Sequence, residues 1–230
     1  MNNISSQSTA ILIFAQSPLQ DAEQKSITGG EKLFHALNKH FVKIVENTDL
    51  PYVEINEENQ IGSTFGERYC NAIESVFNQG FHNIICIGND SPRLSTKTLL
   101  ETTKILNEGN AVFGPSVDGG FYLLGMHHSN FDRKRFESLS WQTQKITREI
   151  QKIFEEKDRK YTLLPTLFDI DCLYDLKIFI SQANDCSKNV YNIAKDIFDT
   201  TVSKYLFVDL IDERLPMLAS EEKEYLKQKK

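Results

Sequence analysis

Two aspartates, Asp90 and Asp118, occupy positions in this sequence at which a carboxylate is well placed for chemistry. Asp90 follows the apolar run 83–87, and Asp118 follows a second apolar run that begins at Ala111. Such runs predict buried strands, and open α/β sheets bind their ligands at the carboxyl ends of their strands. We therefore predict that Asp90 and Asp118 converge on one cleft together with Asp171, which also follows a strand-like segment, and that Asp90 and Asp118 take part in catalysis.

Each aspartate also has a purely structural interpretation. Asp90 lies two residues before Pro92 and could bond its own backbone in a turn. Asp118 could do the same with the glycines that follow it. Because Gly119 and Gly120 carry no Cβ, they also allow a ligand to approach the backbone closely, and we predict that they contact the substrate.

Short apolar runs alternate with amphipathic helical patterns, which predicts βαβ units and a parallel sheet. Strands are expected at 10–15, 51–55, 83–88, 111–114 and 121–125, with a short strand at 160–164. Helices are expected at 29–47, 62–79, 95–108, 143–157, 172–183, 190–205 and 220–230, and a polar loop at 16–28. The predicted fold is an α/β three-layer sandwich with a mixed, mostly parallel sheet.

Length and composition set limits on the class of protein. The 230 residues carry a net charge of −6, which argues against a sequence-independent nucleic-acid surface. The four cysteines lack metal-type spacing, no apolar run approaches the ~20 residues of a membrane span, and the polar start does not resemble a secretory signal. We expect a cytoplasmic protein with one domain over 1–183 and a helical extension over 184–230 packed on it.

Several motifs occur in the order found in a known bacterial family. They read G-N-D-S-P at 88–92, G-P-S-V-D-G-G-F-Y-L-L-G at 114–125, W-Q-T at 141–143 and D-I-D-C-L-Y-D-L at 169–176, with G-E-R at 66–68. This arrangement resembles the family called domain of unknown function 2064. Its members are described as glycosyltransferases, or as transferases associated with radical-SAM and selenodomain proteins, and have a GT-A-like fold related to nucleotide-diphospho-sugar transferases and guanylyltransferases.

The resemblance implies a divalent cation, Mg²⁺ or Mn²⁺, held by Asp90 and Asp171, and a nucleotide or nucleotide-sugar substrate. Mg²⁺ takes a few carboxylate oxygens and completes its shell with water and phosphate. Asp171 could instead cap the helix that follows it. Arg68 and Trp141 are predicted to contact the substrate, although Arg68 could pair with a carboxylate and Trp141 could be a packing aromatic.

The first loop departs from the pattern of the family, in which a glycine and lysines would bind nucleotide phosphates. Here Gln16 and Asp21 replace a lysine and the glycine, and only Lys25 is left to contact substrate phosphate. Two functions are consistent with this sequence. The first is a metal-dependent glycosyl or nucleotidyl transferase with an altered donor loop, and the second is a non-catalytic or repurposed binding protein of the same fold. The altered loop predicts weak binding of nucleoside triphosphates.

Overall fold

The computed structural model of the protein describes residues 8–156, 159–182 and 187–209, with side chains as far as Lys204. The chain divides into two compact units. The first unit comprises Met1–Ser17 and Leu37–Asp169, and the second comprises Pro18–Ala36 and Ile170–Lys230. The domain boundary between residues 183 and 184 remains a prediction, and the helix expected at 220–230 lies outside the described residues.

A six-stranded sheet forms the centre of the first unit. Its strands are β1 (Thr9–Phe14), β2 (Tyr52–Ile55), β3 (Asn83–Ile87), β4 (Ala111–Pro115), β5 (Phe121–His127) and β6 (Tyr161–Leu163), in the order β2-β1-β3-β5-β4-β6. Only β5, among these strands, runs antiparallel to its neighbours, because a tight turn joins it directly to β4. The predicted mixed and mostly parallel sheet is confirmed.

Among the described residues, six of the eight α-helices lie close to the positions that their amphipathic patterns predict, whereas the short helices at Pro18–Gln24 and Arg133–Glu137 were not predicted. The helices are α1 (Pro18–Gln24), α2 (Gly30–Glu46), α3 (Phe65–Phe77), α4 (Thr96–Asn107), α5 (Arg133–Glu137), α6 (Ile146–Glu156), α7 (Leu173–Ser181) and α8 (Lys188–Asp209). Within the described residues, none of them is both long and apolar enough to cross a membrane.

Because successive side chains of a strand point to opposite sides, the sheet of the first unit has two packed faces. Leu12 of β1 and Phe113 of β4 belong to a core cluster with buried side chains of α3, α5 and α6. The alternate residues of each strand point to the opposite face of the sheet. On that face, Gly125 of β5 lies against Thr102 and Leu106 of α4. Helices therefore cover both faces of the sheet, as the three-layer prediction requires.

The segment 16–28 is the main difference between the predicted and observed elements. It was expected to be a polar loop, but seven of its residues form α1. Pro18 is the first helical residue, a position where a missing N–H costs nothing and the fixed φ of proline suits the helix. The helix is too short to show a hydrophobic period, so the sequence pattern gave no sign of it.

Gly114 leaves room for the aromatic ring of a residue on the neighbouring strand. A Cβ added at Gly114 would lie 2.4 Å from Cζ of Tyr122. We expect Gly114→Ala to destabilise the protein by about 2–3 kcal/mol, because the ring cannot move without losing its own packing. Urea unfolding would measure the change. Gly125→Ala, where the nearest atom is a methyl group at 3.0 Å, serves as the milder comparison, and an equal loss in both variants would contradict this explanation.

The thiols of Cys70 and Cys86 are buried in the core of the first unit. Burial raises the pKa of each thiol to about 12, so only about one molecule in ten thousand is a thiolate at pH 8. We expect iodoacetamide to modify Cys172, which is partly exposed, before the other two. Peptide mapping would test this order, and rapid modification of Cys86 in the folded protein would contradict it.

Candidate functional site

The sheet of the first unit has a topological switch point between β1 and β3. The chain leaves β1 toward β2 on one side and leaves β3 toward β4 on the other. In sheets of this kind the loops that follow the two strands diverge and leave a crevice at the carboxyl edge, where ligands bind. Here those loops are 15–17 and 88–91.

Asp90 lies in the second of these loops, half-buried, directly after β3. The residues on either side of it are fixed by side-chain hydrogen bonds. Asn89 is buried and donates from Nδ2 to Oδ1 of Asn38 at 2.7 Å and to the carbonyl oxygen of Gln16 at 3.5 Å. Ser91 is also buried, and its hydroxyl is hydrogen-bonded to the carboxylate of Asp169. Asp90 is therefore presented by a rigid loop at the carboxyl edge.

Asp169 is a further candidate site residue, which the sequence motifs did not single out. The segment after β6 continues along β4, since Leu167 N donates to the carbonyl oxygen of Pro115 at 3.1 Å and Val117 N donates to that of Leu167 at 3.0 Å. This path carries Asp169 to Ser91, 78 residues away in sequence. The sequence signal for Asp169 is the D-I-D spacing at 169–171, although the family resemblance points to the second acid, Asp171.

Tyr122 provides further evidence for the position of Asp169. Burial, together with the nearby Asp169 carboxylate, raises the pKa of the phenol to about 12. The phenol therefore stays protonated at neutral pH and donates to the carbonyl oxygen of Pro165 at 3.0 Å. This bond holds the segment before Asp169 against the sheet.

Asp118 occupies the tight turn between β4 and β5. Its Oδ1 accepts hydrogen bonds from Oγ of Ser116 at 2.6 Å and from the backbone N–H of Gly120 at 3.0 Å. The structural interpretation, an aspartate that closes its own turn, is therefore confirmed. A role in catalysis remains a prediction.

The two glycines of this turn are required by contacts inside the protein. Gly119 has φ +91°, and a Cβ there would lie 2.5 Å from the carbonyl oxygen of Gln144. A Cβ at Gly120 would lie 3.0 Å from Oγ of Ser116 and 3.1 Å from Oδ1 of Asp118, the two side chains that close the turn. These contacts explain the glycine pair without a ligand, and substrate contact at Gly119 and Gly120 remains a prediction.

Arg68 stabilises the loop that follows β1. Its Nε donates to Oε1 of Gln60 at 3.1 Å, and Nε2 of Gln60 in turn donates to the carbonyl oxygen of Ala15 at 3.2 Å. Glu67, beside it, completes a capping box with Thr64 at the start of α3. The G-E-R motif thus has a structural explanation, and phosphate binding by Arg68 remains a prediction.

Trp141 packs inside an aromatic cluster formed by Phe14, Phe65, Tyr69, Phe121 and Trp141 itself. Its ring centroid lies 4.9 Å from that of Tyr69 and 5.3 Å from that of Phe65. Its indole N–H donates to the carbonyl oxygen of Phe136 at 2.7 Å. The packing interpretation is therefore supported, while a sugar contact by its partly exposed edge remains a prediction.

Lys25 and Asp171, both in the second unit, form an ion pair. Lys25 Nζ lies 3.3 Å from Oδ1 of Asp171 and donates to the carbonyl oxygen of Ile170 at 3.0 Å. The Lys25 side chain is only 13% exposed. The lysine that was predicted to contact phosphate therefore has its charge balanced by the aspartate that was predicted to bind metal.

The alternative that Asp171 caps α7 is wrong, because Cys172 holds the N-cap position. The carboxylate of Asp175 is buried and accepts hydrogen bonds from the backbone N–H groups of Asp171 and Cys172, each at 3.0 Å. These two hydrogen bonds provide an acceptor for backbone N–H groups that would otherwise lack one beside the start of α7. It also fixes the backbone from which the Asp171 side chain projects.

In the described part of the chain, no three His, Cys, Asp or Glu side chains are arranged to hold a metal ion. Mg²⁺ needs only one or two protein carboxylates when water and phosphate complete its shell. Asp90 and Asp169 are the candidate carboxylates of the first unit, and a metal-binding role for Asp171 remains a prediction. Binding of Mg²⁺ or Mn²⁺ remains a prediction.

The hydrogen bonds of Asp118 predict how substitutions there will behave. Asp118→Ala leaves the Gly120 N–H and the Ser116 hydroxyl without their acceptor, and we expect a loss of about 1–2 kcal/mol in the free energy of unfolding. Asp118→Asn keeps an oxygen at this position, and we expect a smaller loss. Urea unfolding of both variants would measure this, and equal losses would contradict the proposed role of the acceptor.

Comparisons with known proteins agree with the geometry. Residues 52–143 match a family described as an uncharacterized protein conserved in bacteria, DUF2064. No curated protein sequence matches the chain significantly. The crystal structure of a proposed nucleotide-diphospho-sugar transferase from Desulfovibrio desulfuricans G20 has a TM-score of 0.74 and 18% identity, covering 86% of this chain and 97% of that one.

Two further structures are more distant. The Mycobacterium tuberculosis H37Rv protein Rv0371c has a TM-score of 0.48 and 9% identity, over 77% of this chain and all of that one (100%). The 4-diphosphocytidyl-2C-methyl-D-erythritol synthase of Anaerococcus prevotii DSM 20548 has a TM-score of 0.45 and 12% identity, over 72% of this chain and 90% of that one. Similarities of this size are too weak to bear on the fold.

The matched segment contains β2, β3, β4, β5 and the loops of Asp90 and Asp118, and the similar structure covers most of the chain. The resemblance indicated by the motifs is thereby confirmed: residues 52–143 match the bacterial family DUF2064, and the chain has a GT-A-like fold similar to that of the proposed nucleotide-diphospho-sugar transferase.

Proposed function

We propose that this protein is a metal-dependent transferase that takes a glycosyl or nucleotidyl group from a nucleotide-activated donor. The observation that carries the proposal is the attachment of Asp90 and Asp169 to one rigid loop at the topological switch point. Ligands bind at this edge of open α/β sheets. The GT-A-like fold makes a nucleotide-linked donor the ligand that this edge suits best.

The carboxylates at this edge are suitable ligands for a hard divalent cation. Asp90 and Asp169 offer oxygen atoms, and the Ser91 hydroxyl orients one of the two carboxylates. When bound, Mg²⁺ or Mn²⁺ would neutralise the charge that develops on a diphosphate leaving group.

The remaining groups of the site would position the reacting partners. Asn89, through its bonds to Asn38 and Gln16, keeps the loops after β1 and β3 together, so a donor between them meets a preorganised wall. Asp118 holds the β4–β5 turn at the same edge of the sheet. We propose Asp118 as a contact for the acceptor and not as a metal ligand, because its Oδ1 already accepts two hydrogen bonds within the turn.

A second function is a non-catalytic binding protein of the same fold. The Lys25–Asp171 ion pair favours it, because the lysine needed for donor phosphate already has its charge balanced. Asp21, where the family has a glycine, is buried in α1 and adds negative charge. Under either function we expect weak binding of nucleoside triphosphates, since phosphates need fixed positive charge and unoccupied N–H donors.

Isothermal titration with nucleotide sugars and nucleotides, with and without Mg²⁺ or Mn²⁺, tests the proposed transferase. We expect at least one nucleotide-linked donor to bind in a metal-dependent way, and Asp90→Asn and Asp169→Asn to weaken that binding about tenfold or more. Asp49→Asn is the matched control, because Asp49 is exposed with φ 57°, a conformation that asparagine tolerates.

Two results would contradict the transferase proposal. One is donor binding that is unchanged in Asp90→Asn and in Asp169→Asn. The other is metal-independent binding of the donor with no transfer or hydrolysis of it, which would favour the binding protein.

A further inference from the structure

Glu57 makes an unusual contact with the first loop of the switch point. Its Oε2 accepts a hydrogen bond from the backbone N–H of Ser17 at 2.6 Å. Glu57 comes directly after β2 in the chain, and Ser17 follows β1. The carboxylate therefore reaches across to the loop that borders the crevice of the first unit.

The position of Glu57 is defined by the turn that carries it. Oδ1 of Asn56 accepts from the backbone N–H of Glu58 at 3.2 Å and from Nδ2 of Asn59 at 3.0 Å, which closes the turn. Gln60 then donates to the carbonyl oxygen of Ala15 at 3.2 Å. The turn is thus joined to the same loop at two points, and little conformational entropy is lost when Glu57 meets Ser17.

The charge of Glu57 is stabilised by this contact. Although partial burial opposes it, hydrogen bonds from the side chain and backbone of Ser17 lower the pKa of the Glu57 carboxyl below its ordinary value of 4.5. The carboxylate is therefore ionised at neutral pH. A charge-assisted hydrogen bond of this kind is roughly twice as strong as a neutral one.

A main-chain N–H beside a switch-point crevice is a typical donor for an anionic ligand. A carboxylate oxygen and a phosphate oxygen have the same charge sign and accept the same hydrogen bond. Only one of them can take the Ser17 N–H at a time, and the carboxylate also repels a second anion nearby. The turn after β2 thus supplies an internal anion to this loop.

We infer that Glu57 is an internal anion that competes with the phosphate of a donor for the loop 15–17 and so determines which ligands this loop accepts. It disfavours phosphate groups there and favours neutral or cationic ones. The inference rests on the proposed function only in naming a nucleotide-linked phosphate as the competing anion. It predicts that removal of the Glu57 charge increases the affinity for anions.

Inorganic pyrophosphate is the probe, so that the test requires neither turnover nor a known donor. We expect Glu57→Gln to bind pyrophosphate about tenfold more tightly than wild type, equivalent to about 1.4 kcal/mol. Glu57→Ala, which also frees the Ser17 N–H, should bind at least as tightly. Glu58→Gln is the matched control, because Glu58 is the exposed neighbour with the same charge, and it should stay within about twofold of wild type.

The inference is overturned if neither Glu57 variant binds pyrophosphate more tightly than Glu58→Gln does. That result leaves the proposed transferase intact if the wild type still turns over a nucleotide-linked donor. Conversely, tighter pyrophosphate binding by the Glu57 variants supports the inference even if no donor is turned over. The two ideas can therefore fail separately.

Nuclear magnetic resonance of the wild type gives a second measurement that does not depend on a variant folding. As the pH falls through the lowered pKa of Glu57, protonation should weaken its bond to Ser17, and the amide resonance of Ser17 should shift. In Glu57→Gln the same resonance should not titrate in that range. An amide of Ser17 that does not respond in the wild type would overturn the inference.

Discussion

The structure depends on one constraint, which is that polar groups beside fully buried strands must find hydrogen-bond partners within the protein. β1 and β3 are buried along their whole length, so the loops at their carboxyl ends begin in the core. Side chains from distant segments supply several of these partners. Gln60, Glu57 and Asn89 bond the loop after β1, while the loop after β3 is bonded to Asp169 through Ser91.

Some of the hydrogen-bond donors of these loops are bonded by side-chain carboxylates, which explains why the site contains several acids. A carboxylate is a strong acceptor for N–H and O–H groups at a strand end. Glu57, Asp118 and Asp169 each serve that structural purpose, and each therefore adds negative charge to one edge of one unit. The same charge attracts a divalent cation and repels phosphate, so the local stability of the loops and the choice of ligand are linked.

The motifs of the sequence combine structural and chemical roles that a pattern alone does not separate. Gly66 is required because a Cβ there would lie 2.8 Å from the Trp141 ring, Glu67 caps α3, and Arg68 supports the first loop. Gly119 is required by the backbone of Gln144. Asp90 follows a buried strand within a loop that its neighbours hold, and it is the acid for which we propose a ligand contact.

The sequence by itself determined the strands, most helices, the three-layer fold and the loops that contain Asp90 and Asp118, because hydrophobic periodicity and turn chemistry depend on residues close together in the chain. Only the tertiary structure decided which side chains from distant parts of the chain come into contact. Ser17 and Glu57 lie 40 residues apart, Ser91 and Asp169 78, and Lys25 and Ile170 145. Such pairs form only when packing brings separate elements together, and no local pattern specifies them. That is why the contacts of Asp169, Glu57 and Lys25 could not be predicted from the sequence.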